Sequence, residues 1–452
     1  MKKKIFTAQG RSVFRAGILA GVVLVFPGAV SQIGFPEPRT NDAPEQRRDV
    51  RPGVEVFLDK HAVSFKGKSV GLVTNPSGVG RNLESSVSLL MKNEHINLIA
   101  LYGPEHGIRG NAQAGEFVPF SRDEKYGLPV FSLYGQSKRF EPDRRKSLDD
   151  VMRRFDTVKD DKGLEESMLR NVDVILFDIQ DVGTRIYTYI ATMLTVMEAC
   201  AEFGIAFVVL DRPNPIRGDI VEGPVLEFPE YASYIGVFSI PLRTGMTIGE
   251  LALLLNERCL KNKARLTVIP MENWKREMWF DETGLPWVIP SPNMPTLETA
   301  VVYPGQVLLE GTNLSEGRGT TRPFEMFGAP WIDGFELARR LNRLRLPGVV
   351  FREAWFTPTF SKHEGRLCGG CQMHVTDRDV FRAFRTACHI LSVVKEMWPR
   401  EFEFHAEYFD RAAGTDLVRR GLERNEPPDE ILSRLEPRLR EFLALRRNHL
   451  LY

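Results

Sequence analysis

Three carboxylates, two guanidinium groups and four glycines are concentrated between residues 303 and 325, in the sequence YPGQVLLEGTNLSEGRGTTRPFE. Glu310 and Glu316 could supply paired acidic groups, and Arg318 could bind an anion. In an extended chain the two glutamates would lie roughly 20 Å apart, so they could share a site only if the glycines fold the segment back. A structural loop in which Glu316 and Arg318 pair with each other or with neighbours is the alternative. Loops of this composition more often carry function.

Further polar side chains stand where apolar runs end. The apolar run 96–102 leads into GPEHG, the run 172–177 into DIQDVGTR, and the run 206–210 into DRPNP. In open parallel sheets, ligands bind beyond the carboxyl ends of the strands. We therefore expect these three loops to line one crevice. The candidate residues that they supply are Glu105, His106, Asp181 and Arg185, and the turn NPSG after the run 69–74 adds Asn75.

Glu105 is the strongest candidate for acid chemistry. It lies just past an apolar run and beside His106, where burial could keep a carboxyl group protonated at neutral pH. Two other interpretations remain open, in which Glu105 caps the next segment or pairs with Arg109. His106 could be a proton partner or a loop histidine with its hydrogen bonds satisfied.

The elements that must position these residues follow an α/β pattern. Strands are expected at 69–74, 96–102, 128–133, 172–177, 206–210 and 266–269, with helices at 83–92, 187–203 and 244–256. The near-continuous apolar character of 172–177 is typical of a parallel strand covered on both faces. Residues 307–309 are expected to form a short buried strand. Helices at 333–344 and 378–395 around a strand at 349–356 predict a smaller C-terminal domain of mixed α+β structure.

The N-terminus has the features of an export signal. Basic residues precede an eleven-residue apolar core, and small residues follow it, so residues 1–31 are expected to be a signal peptide. The core is too short for a comfortable membrane span, and no stable membrane insertion is expected after cleavage. Residues 32–52, rich in proline and charge, are expected to be a linker, followed by domains at 53–300 and 301–452. The net charge of +1 gives no reason to expect nucleic acid as a partner.

Several other site types can be assessed from the sequence. Cys368 and Cys371 form C-G-G-C near His363 and His374, which leaves open a zinc site, a disulfide or two free thiols. The chain lacks a complete phosphate-binding loop, a G-x-G-x-x-G fingerprint after the first strand and a G-x-S-x-G elbow. A dinucleotide cofactor is therefore not supported.

Several long motifs together resemble a known family. GLVTNPSG, LYGPEHGIRG, LFDIQDVGTR, VLDRPNPI, PSPNMPT and EGTNLSEGRGTTRPFE are similar to the bacterial exo-β-N-acetylmuramidases of peptidoglycan recycling, formerly a domain of unknown function. The resemblance runs from about Gly53 to Tyr452. It implies a Rossmann-like N-terminal domain, a smaller C-terminal domain and a cleft between them. It also implies release of N-acetylmuramic acid from the non-reducing end of cell-wall fragments. The expected signal peptide, which predicts an extracytoplasmic location, agrees with that substrate.

The resemblance also implies roles for individual residues. Glu105 matches the family's leading catalytic glutamate and would protonate the leaving oxygen. The second carboxylate could be Glu316, Glu310 or Asp181, and the substrate's acetamido group could itself be the nucleophile. Residues expected to bind the lactyl carboxylate and the other substituents of the sugar are Arg318, Arg185, Asn313, Asn75 and Asn293. This scheme requires no metal ion or organic cofactor.

Two other classes of protein remain as alternatives. An exported, non-catalytic carbohydrate-binding protein would also have two domains around a cleft, but the number of carboxylates favours the enzyme. An ester or acyl hydrolase would use Ser77 or Ser291, for which no histidine and acid partners can be assembled from the motifs.

Overall fold

The computed structural model describes residues 49–113, 115–116, 118–134 and 166–452. The expected signal peptide, most of the expected linker and the charged stretch 139–165 lie outside these ranges. The last residues assigned to the linker already belong to the packed chain, because Val50 is fully buried and the Arg51 backbone pairs with Glu272. The described structure therefore begins before Gly53.

The strands and helices of the described chain follow the alternating order expected from the sequence. The strands are β1 (Ser69–Thr74), β2 (Asn97–Gly103), β3 (Ser121–Arg122), β4 (Pro129–Ser132), β5 (Val174–Asp178), β6 (Ala206–Leu210), β7 (Glu222–Val225), β8 (Pro241–Arg243), β9 (Arg265–Ile269), β10 (Met326–Ala329), β11 (Val349–Phe356) and β12 (Cys368–Val375). The helices are α1 (Gly53–Lys60), α2 (Ser86–Lys92), α3 (Tyr189–Phe203), α4 (Ile248–Arg258), α5 (Leu297–Gln306), α6 (Gly334–Arg343), α7 (Ala383–Met397), α8 (Ala406–Ala413), α9 (Leu417–Glu423) and α10 (Pro428–Arg446).

The main sheet has the order β3-β4-β2-β1-β5-β6-β9, and every pairing is parallel except that of β3 with β4. Without the short edge strand β3, this is the 3-2-1-4-5-6 order of a Rossmann sheet. The central strand β5 is buried at every position, as the apolar run predicted. The predicted α/β fold with a Rossmann-like parallel sheet is confirmed. The order reverses between β1 and β5, which is where such sheets open a crevice.

A smaller antiparallel sheet, β10-β12-β11, carries the second part of the fold. Its strand β11 has the bounds expected from the sequence, and α6 begins at an Asp333 cap whose side chain accepts a hydrogen bond from the Glu336 amide. Helix α5 spans the position, between residues 300 and 301, at which the sequence divides the two domains. The mixed α+β character predicted for the C-terminal part is confirmed.

One predicted strand is wrong. Residues 307–309 form part of a 3-10 helical segment, Val307–Gly311, that continues directly from α5. The apolar run is fully buried, but a helical turn buries three consecutive apolar residues as well as a strand does, so a short run cannot distinguish the two.

The C-G-G-C sequence lies within β12, where both cysteines are free and fully buried. Three residues along a strand place Cys368 and Cys371 on opposite faces and about 10 Å apart. That separation is beyond the roughly 7 Å between Cα atoms that a disulfide tolerates. The imidazole of His363 lies 2.7 Å from the carbonyl oxygen of Asn313.

Candidate active site

A cavity of about 140 Å³ opens beyond the carboxyl ends of the parallel strands. Its walls come from the loop after β2, the start of α3, the loop before α5, the segment 303–324 and helix α8. Five of the residues predicted from the sequence line it: Glu105, His106, Asn293, Glu310 and Arg318. The structure therefore brings together the loop after β2 and the glycine-rich segment, as the sequence predicted.

Glu105 is buried just past the end of β2, and two hydrogen-bond donors hold its carboxylate. Its Oε1 accepts a hydrogen bond from the Gly115 amide at 3.0 Å, and its Oε2 accepts one from the Thr188 hydroxyl at 2.7 Å. A hydroxyl can donate to a carboxylate or accept from a carboxylic acid. The Thr188 contact therefore suits a group that changes protonation state during a reaction.

His106 follows Glu105 in the left-handed backbone conformation, with φ of 71°, and is buried. Its Nδ1 lies 2.7 Å from the Ala112 carbonyl oxygen. In the neutral ring this contact keeps the proton on Nδ1 and leaves Nε2 as an acceptor.

Glu310 is the second carboxylate of the cavity wall. Arg318 donates to its Oε1 from Nη2 at 2.6 Å and from Nε at 3.2 Å, and the Tyr408 hydroxyl donates to its Oε2. Burial opposes the charge of Glu310, but Arg318 and Tyr408 outweigh it and hold the pKa of Glu310 below its usual range. Glu310 is therefore an anion with both oxygens engaged.

Glu316 lies behind this wall and does not line the cavity. It pairs with Lys362 at 2.8 Å and with Arg318 at 3.4 Å. Gly317 and Gly319, with φ of 80° and 77°, turn the chain back so that Arg318 reaches both glutamates. The sequence left a functional loop and an ion-paired loop as alternatives, and this segment has the features of both.

Three tyrosines, Tyr187, Tyr189 and Tyr303, form one wall of the cavity. Asn75 supports this wall from behind, because its Nδ2 donates to the Tyr189 hydroxyl at 2.8 Å and to the Pro290 carbonyl at 3.2 Å. Asp181 also lies behind the wall, and its carboxylate, when ionised, opposes the ionisation of all three tyrosines. Burial raises the pKa of Asp181 to about 7.

Two residues predicted to bind substrate lie elsewhere. The Arg185 guanidinium is buried and donates to the carbonyls of Pro224, Ile240 and Ala412, which joins the two parts of the fold. The Asn313 side chain donates to the Glu401 carbonyl and accepts from the Glu403 amide. Neither residue lines the cavity, because both side chains are used to cross-link backbone segments.

The sequence reasoning missed the tyrosines of the cavity, Thr188 and Lys362. Tyr187 to Tyr189 were assigned to the body of an apolar helix, although they follow the polar loop after β5 and so stand at the expected edge of the sheet. Tyr408 is 98 residues from Glu310 in sequence, and no local pattern marks it.

Two family models match most of the chain. A family model described as exo-β-N-acetylmuramidase NamZ, N-terminal, matches residues 70–158 and 155–298, and the corresponding C-terminal model matches residues 301–452. This chain belongs to the NamZ family. A peptidoglycan β-N-acetylmuramidase NamZ from Bacillus subtilis (strain 168) is 49% identical over 416 residues, which are 92% of this chain and 94% of that protein.

Two solved structures of the DUF1343 family, both from Bacteroides fragilis NCTC 9343, have the same fold. One has a TM-score of 0.77 at 35% identity and covers 89% of this chain and 99% of its own. The other has a TM-score of 0.68 at 30% identity and covers 90% and 99%. Membership of the NamZ family confirms the expectation of a glycoside hydrolase.

The described ranges contain no group of three or more histidine, cysteine, aspartate or glutamate side chains placed to hold a metal ion. Within the same ranges, no helix combines the length and the apolar character that crossing a bilayer requires.

Proposed function

We propose that this chain is an exo-acting β-N-acetylmuramidase that releases N-acetylmuramic acid from the non-reducing end of peptidoglycan fragments, with Glu105 as general acid. The observation that carries the proposal is the presence of Glu105 and Glu310 in one cavity at the carboxyl edge of the sheet, in a chain of the NamZ family. The activity named for the Bacillus subtilis relative supports the substrate class.

The environment of Glu105 favours it as the proton donor. Glycoside cleavage requires an acid that protonates the leaving oxygen and a group that stabilises the positive charge developing on the sugar ring. Glu105 has a hydroxyl partner that can adapt to either protonation state, and within the described part of the chain none of its contacts is an ion pair with a basic side chain. Glu105 is thus free to exchange a proton with the substrate.

Glu310 is the better second carboxylate. Its lowered pKa keeps it ionised across the neutral range, so it can stabilise an oxocarbenium-like centre electrostatically. Because Arg318 and Tyr408 occupy both of its oxygens, we assign it this role and not direct attack on the sugar. Glu316 and Asp181 act from behind the wall, through Arg318 and through the tyrosines.

Arg318 is the proposed partner of the lactyl carboxylate. It lines the cavity, and its bonds to Glu310 use Nε and Nη2, which leaves Nη1 as the donor for an anionic group of the substrate. Asn293, on the loop before α5, also lines the cavity and offers an amide to the sugar hydroxyls.

The place of action follows from the N-terminal sequence and the substrate. A basic leader, an apolar core and small residues favour export, and peptidoglycan fragments are met outside the cytoplasmic membrane. We therefore propose an extracytoplasmic location after removal of a signal peptide within residues 1–31. N-terminal sequencing of the protein recovered from the extracytoplasmic fraction tests this, and an intact Met1 there would contradict it.

Release of chromophore from a chromogenic β-N-acetylmuramide, compared with the corresponding β-N-acetylglucosaminide, tests the activity. We expect turnover of the muramide by the wild type and a fall of at least about a hundredfold in Glu105→Gln, since general acid catalysis contributes about 10²- to 10⁴-fold. Equal turnover by Glu105→Gln would remove Glu105 from this role. Binding of N-acetylmuramic acid without turnover by the wild type would favour a carbohydrate-binding protein.

A further inference from the structure

The hydroxyl of Tyr187 is buried in the wall of the cavity and has no hydrogen-bond partner in the described chain. Its neighbours differ, because the Tyr189 hydroxyl bonds Asn75 and Pro290 and the Tyr408 hydroxyl bonds Glu310. The hydroxyls of Ser291 and Tyr189 both lie close to the Tyr187 hydroxyl, but neither reaches hydrogen-bond geometry. Buried polar groups without a partner are uncommon, and each costs about 1–3 kcal/mol.

The Tyr187 ring cannot turn away to find a partner. It makes edge contacts with Tyr189, at 4.9 Å between ring centroids, and with Tyr303, at 5.9 Å. The ring is therefore held from two sides, and its hydroxyl keeps its direction. The fold maintains the unsatisfied group in place.

The surroundings of Tyr187 limit which chemical group of a ligand can accept its hydrogen bond. Burial, followed by the neighbouring Tyr189, raises the pKa of Tyr187 well above its usual value, so the hydroxyl keeps its proton and donates. The same cavity is also lined by Ile186, Met294 and Phe324, which suit a methyl group. Burial disfavours an anion beside Tyr187, whereas Arg318 can bind one. A neutral acceptor joined to a methyl group fits these conditions.

We infer that Tyr187 donates a hydrogen bond to the carbonyl oxygen of the N-acetyl group of the substrate sugar, and that it determines the preference for a 2-acetamido sugar. This inference rests on the proposed function, because it takes the terminal N-acetylmuramic acid as the occupant of the cavity. The acetyl methyl group then packs on the apolar side chains. The contact leaves the glycosidic oxygen to Glu105 and the lactyl carboxylate to Arg318.

Calorimetric binding of two free sugars tests the inference. The first is N-acetylmuramic acid, and the second is its 2-deoxy analogue, which keeps the lactyl group and lacks the acetamido group. We expect the wild type to prefer the acetamido sugar and Tyr187→Phe to lose about tenfold to hundredfold of that preference, as one buried hydrogen bond requires. Affinity for the 2-deoxy analogue should be unchanged.

The stability of the unliganded variants separates this role from a structural one. Removing an unsatisfied hydroxyl should leave the Tm of Tyr187→Phe unchanged or raised. Tyr102→Phe is the matched control, because the Tyr102 hydroxyl is buried, bonds the Met168 carbonyl at 2.7 Å and lies outside the cavity. Tyr102→Phe should lower the Tm and keep the sugar preference of the wild type.

The outcomes distinguish this inference from the function on which it rests. Loss of the acetamido preference in Tyr187→Phe at an unchanged Tm supports the inference. Retention of the full preference in Tyr187→Phe overturns it, and the proposed function stands if the wild type still cleaves the chromogenic muramide. A wild type that neither cleaves the muramide nor binds either sugar overturns the proposed function and the inference with it.

Discussion

The Thr188 side chain contributes to the candidate site and not to the start of its own helix. Thr188 is the N-cap residue of α3, but its side chain makes no capping hydrogen bond and donates to Glu105 instead. A capping threonine commonly stabilises a helix by about 1 kcal/mol, so the chain forgoes this stabilisation at the position where it holds the proposed acid.

We predict that Thr188→Val lowers kcat by about tenfold to hundredfold, because a hydrogen bond to a charged group contributes about 1.5–3 kcal/mol. The Tm should change little, since no cap is lost. Loss of a donor to the ionised carboxylate should also move the basic limb of the pH–rate profile to higher pH. Thr188→Ser keeps the hydroxyl and should restore both kcat and the profile. A Thr188→Val enzyme with wild-type kcat and profile would show that the contact is structural.

The raised pKa of Asp181 predicts how the stability of the protein changes with pH. Its pKa is raised from 3.8 to about 7 by burial, so between these values the folded protein binds a proton that the unfolded chain has released. The contribution of Asp181 to stability must therefore fall as the pH rises from about 4 to 7, by roughly 4 kcal/mol at 1.36 kcal/mol per pKa unit.

Asp181→Asn isolates this contribution, because its side-chain oxygen can still accept the Gly183 amide as Asp181 Oδ2 does at 2.7 Å. Urea unfolding of both proteins between pH 4.5 and 7.5 should show the wild type losing stability relative to Asp181→Asn as the pH rises. If the stabilities of the two proteins changed in parallel with pH, Asp181 would be ionised in the folded protein throughout this range.

The connection between β11 and β12 holds the glycine-rich segment in place. Lys362 on this connection donates to the carbonyls of Leu309 and Thr312 and pairs with Glu316. The 3-10 segment that carries Glu310 and the loop that carries Arg318 are thereby fixed to the smaller sheet. Lys362 does not line the cavity, so any effect on activity must pass through these segments.

We predict that Lys362→Met destabilises the protein by about 3–5 kcal/mol, since it leaves a buried carboxylate without its closest partner. It should also lower kcat/KM through displacement of Glu310. The double variant Lys362→Met/Glu316→Gln should recover part of the stability, as expected for coupled neighbours. Lys66→Met, at an exposed turn, is the control and should change neither quantity. Additive effects of the two substitutions would contradict a direct coupling.

The strands show how much of the fold could be predicted from the sequence. Runs such as Ser69–Thr74 and Ala206–Leu210 predicted their strands because covered parallel strands are almost wholly apolar. Strand β12 was missed because Gly369 and Gly370 provide no apolar pattern. They are glycines because a Cβ at each would meet a backbone oxygen at 2.2 Å and 1.9 Å. That close approach exists only in the folded molecule.

The candidate site, like the fold, could be predicted only in part. Glu105 and the glycine-rich segment could be placed, because strand ends and positive-φ glycines are local features. The roles of Arg185 and Asn313 could not, because whether a polar side chain faces a ligand or a backbone carbonyl depends on segments far away in sequence. Arg185, for example, bonds a carbonyl 227 residues away.

The C-terminal residues return to the Rossmann-like sheet. The Tyr452 hydroxyl donates to Asp211, just past β6, and accepts from the Met271 amide, while the Leu451 amide donates to Glu250 on α4. The Tyr452 ring also makes an edge contact with Trp274, at 4.9 Å between centroids. The end of the described chain thus completes the packing of the N-terminal sheet.

We predict that deleting Leu451 and Tyr452 lowers the stability of the whole protein and not of its C-terminal part alone. Tyr452→Phe should cost about 1–3 kcal/mol, because the Met271 amide loses its acceptor, and the deletion should cost more, because the Trp274 contact and the Leu451 bond are lost as well. Hydrogen exchange should increase at residues 206–211 and 268–274, more than 170 residues from the deletion in sequence. A single, shifted unfolding transition would mean that both parts of the fold unfold together, so that the cavity they form depends on every contact between them. Two transitions, with exchange in 206–211 unaffected, would show instead that the sheet is stable without the C-terminal contacts.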